Sequence, residues 1–442
     1  MKKWEQVTRN MILNFDEFQK ANQSESELNN IRIKNLNIFK KKGFPSKREE
    51  DWKYTDLKTI LSNNLDKLEI PNNKKISQYN NEWLLKNFQH NQIILVNGDF
   101  VSSNFNFEDK EKIKLKPLKM VLNDKKDFEK IRDYFTDQQN SLTSLNHALV
   151  NDGIFLEIED NYSFNKPLII YNFFNKFSEN KIINNKSFIS LGKNSKLSLL
   201  ECHKAEDGIK YFNNAIHNYS IQKRAILKKF VIDSNSDNSY SYHLTNVKSF
   251  SNSIFENFLF SSGSSFVKNE IHCNLLESYS SCFVNALIFL SNQQHHELKT
   301  NINHKNEHCK SSQLVKSVLL DKSNGTYQGK IYVTKDAQKT DGYQLSKALV
   351  LSENSAFNSK PELEIYADDV KCSHGSTTGN IDQNSIFYLM SRGLSKEQAN
   401  KMLVEGFLNE AIETITEPDI QSLILEMFAN KINKTKFEID EH

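Results

Sequence analysis

The stretch SGSSFVKNEI, residues 262–271, places small polar residues ahead of a chain that resumes in apolar alternation. GKNSKLSLL at 192–200 and SENSAFNS at 352–359 are built the same way. A recurring strand-turn unit is the loose signature of a β-solenoid or β-helix, where each unit buries its apolar side against the next copy. Outward from these units, between about residues 154 and 371, short runs such as KPLIIYNFF, AILKKFVID, CFVNALIFL, LVKSVLL and GKIYVT follow one another. They are rich in Ile, Val, Leu, Phe and Tyr and are separated by Gly, Ser, Asn and Asp turns. No long helical period interrupts them. A sandwich or barrel is the competing architecture, but so long a succession of short strands overfills one sandwich.

Both flanks read differently. Residues 1–150 form a mainly helical or mixed region, 151–380 the β core, and 381–442 a helical tail. SESELNNIRIKNLNIFKKKGFP carries Leu28, Ile31, Leu36 and Phe39 at helical spacing and ends on lysines, Gly43 and Pro45, which suit a helix C-terminus. SKREEDWKYTDLKTIL and SLNHALV are further helix candidates. In the tail, Asp382 is placed to cap IDQNSIFYLMSRG, and Ser395 with Gln398 forms a capping box. Ala399, Met402, Leu403, Gly406, Phe407 and Ala411 then make one apolar stripe, and DIQSLILEMFANKI follows Pro418. Such helices either cap an open end of the β body or offer a docking surface.

The 57 basic and 55 acidic residues leave a net charge of +2, which argues against a dedicated nucleic-acid surface. The opening MKKWEQVTRNMILNF has too short an apolar run for a signal peptide, and no stretch approaches membrane-spanning length. Five cysteines without framework spacing read as reduced thiols in a cytosol-like compartment.

Three motifs bear on chemistry. DKSNGTYQGKI (321–331) has three residues between Gly325 and Gly329, with Ile331 after Lys330. A phosphate loop needs four residues there and then Ser or Thr, so this reads as a hairpin-like turn. QQHHELKTNINHKNEHC (293–309) gathers His295, His296, His304, His308 and Cys309. That density suits zinc, a soft metal or an iron-sulfur site, and equally a polar loop of solvated histidines. EIYADDVKCSHGSTTGN (364–380) sets Cys372 and His374 two apart, on one face of an extended strand. A nucleophile wants its base across the fold, so a shared metal or cluster suits the pair better; a buried Cys beside a hydrogen-bonded His is the plain alternative. Asp368 has the parity to orient His374 from behind.

From ADDVKCSHG through SRGLSKEQANKMLVEGFLNEAI, the tail resembles the C-terminal hallmark of the SufB/SufD family of iron-sulfur cluster assembly proteins. KREEDWKYTDLK, around Trp52 and Tyr54, and the segment from HHELKTNINHKNEHC to DAQKTDGYQ are similar to its other signatures. The SufB branch carries a glutamate-rich run in place of ADDVKCSHG and a cysteine where Leu345 stands, so the chain resembles the SufD branch. The resemblance implies a right-handed parallel β-helix flanked by helical regions. It implies a non-catalytic scaffold that pairs with SufB through the β-helix and docks the ATPase SufC on its C-terminal helices, with ATP handled by SufC alone. His374, with Cys372 as a less central neighbour, is then the expected ligand of iron or a transient iron-sulfur cluster at the SufB interface. A flavin on the complex and a homodimer of the isolated chain are compatible with it, as is a cytoplasmic or plastid-stroma setting. Two rivals from other classes are a zinc-stabilised interaction module on the 295–309 histidines and a β-helix enzyme acting on polysaccharide.

Overall fold

A computed structural model of the chain describes residues 26–65, 67–71, 78–136, 140–233, 238–435 and 437. Short strands joined by tight corners wind back and forth between two sheets. The first sheet runs, from one end, through Lys371–Gly379, Asp341–Val350, Lys310–Leu319, Ser281–Leu290, Ile254–Ser261, Ile226–Asp233, Lys196–Ala205, Leu168–Phe174, Asn91–Val96 and Asp99–Asn104. The second runs through Ala356–Ile365, Asn324–Val333, His295–His304, Phe266–Leu275, Ser239–Ser249, Tyr211–Ile221, Ile182–Leu191, Asp152–Ile158 and Ile113–Pro117. Ser281 pairs with Lys310, and Lys310 with Asp341, all in parallel. One coil therefore takes about thirty residues, and the body is a parallel β-solenoid, as the recurring strand-turn units suggested.

Alternation decides what faces inward. Cys282, Val284, Ala286, Ile288 and Leu290 are all buried in the core between the sheets, alongside Leu298, Ile302, Val315 and Leu319 from neighbouring strands. The corners are stacked as well. Asn194, Arg224, Asn252, Tyr279, His308 and Lys339 all adopt positive φ, from 57° to 63°. The amide of each donates to the next coil, from Asn194 to the Lys223 carbonyl up to Lys339 to that of Asp369. A left-handed residue is what lets the chain turn sharply without losing this ladder.

Helices cover the outer faces. Trp52, Leu57, Leu61, Leu142 and Leu145 pack on Phe212, Tyr242 and Phe266 of the second sheet. Ile412, Ile420, Leu423, Ile424 and Phe428 pack on Phe230, Phe258 and Phe289 of the first. The C-terminal helices Lys396–Ile412 and Pro418–Lys434 thus lie along a flank, and the strands Ala356–Ile365 and Lys371–Gly379 close their sheets without a further neighbour. Of the two roles foreseen for the tail, a lid over the open end is the one the packing does not support.

Several local expectations change. The first 150 residues are not only helix and loop: the hairpin Asn91–Val96/Asp99–Asn104 joins the first sheet and Ile113–Pro117 the second. SKREEDWKYTDLKTIL is not one helix; a 3₁₀ turn, Glu50–Trp52, precedes a helix Leu57–Asn64 capped by Asp56. Thr55 breaks it, because its hydroxyl binds Glu297 at 2.6 Å on the sheet. Asn324–Val333 runs straight through the supposed turn around Gly325 and Gly329. Both glycines sit where a Cβ would crowd neighbours, Leu319 and Phe357 at Gly325, Gln344 and Tyr327 at Gly329. The Asp382 cap and the Ser395–Gln398 capping box form as read. In Lys396–Ile412, however, Ala399, Asn400, Val404, Leu408, Ala411 and Ile412 are buried, whereas Met402 is 55% exposed. The opening MKKWEQVTRNMILNF lies outside the described residues.

Candidate functional site

The last coil differs from all the others. In Asp341–Val350 the inward positions Gly342, Gln344, Ser346 and Ala348 are buried. The next strand, Lys371–Gly379, pairs with it in register, Gly342 with Cys372 and Gln344 with His374. Its residues are nonetheless exposed or only half-buried, because no further coil covers them. His374 therefore occupies an interior column of the solenoid while standing open to solvent.

Cys372 and His374 share that face but not the same surroundings. Cys372 packs against the small cluster of Ile331, Val333, Ala337 and Ala367. Gly342 makes room for it, since a Cβ there would come within 3.3 Å of the thiol sulfur. Burial pushes the Cys372 thiol above its ordinary pKa, which disfavours the thiolate that binds metals. His374 is the accessible donor of the two, and beneath it Gln344 accepts from the Tyr327 hydroxyl at 3.3 Å and donates to the Glu362 carbonyl at 3.3 Å. Leu345 pairs with Gly375, one residue out of phase and so on the opposite face from His374.

Asp368 does not stand in a strand, so its parity carries no weight; it lies in the turn before Lys371–Gly379, and among the described residues no hydrogen bond joins it to His374. Its neighbour Asp369 is held by Lys339 and by its own amide donating to Gln338 at 3.0 Å. The pair thus shows no facing carboxylates of the kind a glycosidase uses.

The residues of QQHHELKTNINHKNEHC are scattered by alternation and by the corner. His295 faces outward and meets the Thr55 hydroxyl at 2.9 Å. His296 faces inward, 2.8 Å from the Ser261 hydroxyl, and His304 bonds Ser311 at 2.8 Å. His308 turns the corner and stacks on Tyr279 with ring centroids 4.7 Å apart. Cys309 is buried beside Ser280 at 3.3 Å. These donors are separately engaged, which leaves no basis for a zinc module here.

Two features of the surface were not singled out from the sequence. At the open end Tyr343, Ile365 and Tyr366 are exposed, the last at 57%. On the terminal helices Phe387 (75%), Tyr388, Met390 and Met402 form an exposed apolar set. Buried and exposed apolar residues look alike in a sequence; helical phase alone could have separated Met402 from Val404.

Comparison with known proteins follows this geometry. Residues 173–407 match the family model described as "SUF system FeS cluster assembly, SufBD core domain", and residues 7–170 match "SufBD protein N-terminal region". The chain belongs to the SufBD family. It is 23% identical over 400 residues to the iron-sulfur cluster assembly protein SufD of Escherichia coli, covering 88% of this chain and 90% of that protein. It is 24% identical over 417 residues to protein ABCI7, chloroplastic, of Arabidopsis thaliana, covering 90% and 85%. A SufBD family protein of Synechocystis matches at 24% over 393 residues, covering 85% of each. The chain is thus an iron-sulfur cluster assembly protein of the SufBD family, SufD-like in its relatives. No helix among the described residues is long and apolar enough to cross a membrane.

Proposed function

We propose that this chain is a SufD-type, non-catalytic scaffold that pairs with SufB through the open end of its solenoid and docks the SufC ATPase on its terminal helices. His374 then offers its imidazole to iron or to a nascent cluster at the joint between the two solenoids. The observation that carries this reading is the exposure of His374 at a position whose equivalent one coil back, Gln344, is fully buried. A second solenoid stacked on Lys371–Gly379 and Ala356–Ile365 would satisfy their free backbone groups and enclose the imidazole, as a labile cluster requires.

The donor count agrees with a shared site. One imidazole and one hindered thiol are fewer than the four ligands a cluster takes, so SufB supplies the rest. The exposed set Phe387, Tyr388, Met390 and Met402 is the apolar surface that suits a docked partner. Co-expression with SufB and SufC tests the whole reading. Both should co-purify with the wild-type chain, and iron and sulfide should accumulate on the complex. His374→Ala should keep the complex and lose the iron and sulfide; a variant with undiminished content would refute the role of His374.

A further inference from the structure

On the outer face of the first sheet, beside the turn that joins the helices Lys396–Ile412 and Pro418–Lys434, lies a cavity of about 420 Å³. That size falls in the range of small-molecule pockets. Strand register builds its floor: Glu256 pairs with Phe283 and Phe283 with Ser312, while Phe258 pairs with Asn285. Residues 414–416 wall the helix side, and Asn285 donates to the Thr414 hydroxyl at 2.9 Å, which ties that wall to the sheet. The lining is thus mainly apolar, with one carboxylate.

Charge on this face is unbalanced. The Lys228 ammonium donates to the Thr416 hydroxyl at 2.5 Å and pairs with Glu417 at 3.0 Å, which leaves it 3.9 Å from Glu256. Glu417 also accepts from the Ser198 hydroxyl at 3.1 Å. Among the described residues Glu256 accepts no hydrogen bond, and its side chain is 35% exposed. Lys229, the next residue along, turns inward to Glu201, while Lys316 and Lys347 are drawn to Glu410. Two carboxylates therefore share one ammonium, and the one at the cavity is left short of positive charge. Burial raises the Glu256 pKa, and Glu417 adds to the rise against the pull of Lys228. A cation in the cavity would offset both effects, and phenylalanine ring faces attract cations as well. We propose that this cavity binds one small organic ammonium with an apolar body, an arylalkyl or alkyl amine, whose charge meets Glu256 and whose body packs on Phe258 and Phe283. The site shares no residue with His374 or with the exposed set at Phe387, and it does not depend on the function proposed above.

The test titrates the full chain with phenethylamine, followed by calorimetry and by ligand-observed NMR, with phenylacetate as a probe of the same body and opposite charge. One equivalent of phenethylamine should bind, and phenylacetate should not. Glu256→Gln should weaken the amine about fivefold, the worth of a partly exposed ion pair, and leave melting unchanged. Ser312→Phe should fill the cavity and abolish binding. No binding of phenethylamine to the wild-type chain, equal binding of phenylacetate, or undiminished affinity in Ser312→Phe would each overturn the proposal. Glu256→Gln removes a charge from a half-exposed position without altering shape, so it decides the matter where Ser312→Phe does not fold: unchanged affinity in it overturns the proposal too.

Discussion

His374 pairs with Gln344 in the parallel register, and a coil covers Gln344 but not His374. Because His374 is exposed and carries no packing, His374→Ala should change the stability of the free chain by no more than about 0.5 kcal/mol. Denaturant melts of the two forms should overlay. A large loss would mean the imidazole supports the fold, and any loss of cluster would then have a trivial cause.

The EEDW segment acts as a clamp between the N-terminal helices and the solenoid. Trp52 is fully buried, the Lys268 ammonium sits 4.3 Å from its ring, and Lys268 in turn pairs with Glu297 at 2.5 Å. Trp52→Ala should cost about 3–5 kcal/mol from the lost packing alone. Lys268→Met should also be costly, because it leaves the Glu297 carboxylate buried without its ammonium. Urea unfolding of each variant checks this, and near-wild-type midpoints would mean the clamp is slack.

The exposed apolar set on the terminal helices gives a cleaner test of ATPase docking than removing the tail. Deleting residues 395–442 would uncover Phe230, Phe258 and Phe289 on the first sheet and invite aggregation. Phe387→Ser with Met402→Ser should leave melting unchanged and abolish co-purification of SufC while keeping SufB. Retention of SufC by this double variant would place its docking surface elsewhere.

Burial holds His203, His217, His295, His296 and His304 at about 4, against an ordinary value of 6.5. The unfolded chain takes up protons as the pH falls below 6.5, whereas the folded chain resists until about 4. Their contribution is therefore complete above 6.5 and is lost as the pH falls from 6.5 towards 4. The urea midpoint of the chain should drop steadily between about pH 7 and pH 5. A flat profile would mean these histidines are hydrated or already charged in the fold.

How far the sequence could be read follows from which forces act locally. Strand alternation and turn chemistry are local, so the solenoid, the Asp382 cap and the Ser395–Gln398 box were all legible. The hairpin after Val96 was legible too and was passed over: Asn97 and Gly98 have φ of 52° and 86°, the Asn-Gly turn that joins two strands. Parity placed Cys372 and His374 on one face but could not tell that Gly342 leaves a recess for the thiol while nothing covers the imidazole. Thr55 ends a helical run because Glu297 is 242 positions away along the chain, a contact no window of sequence contains. The meeting of His203, His217 and His243 inside the solenoid, with ring centroids 4.9 Å and 6.3 Å apart, is of the same kind, since it depends on strands facing each other across the core.

The ladder of left-handed corners leaves stability unclaimed. Arg224 and Lys339 hold a backbone shape that glycine adopts without penalty and asparagine with little, and an ordinary side chain there gives up about 1–2 kcal/mol. Arg224 is exposed, so replacing it with Gly should raise the melting temperature rather than lower it. Stepwise substitution of the bends that carry neither glycine nor asparagine is a direct route to a hardier protein.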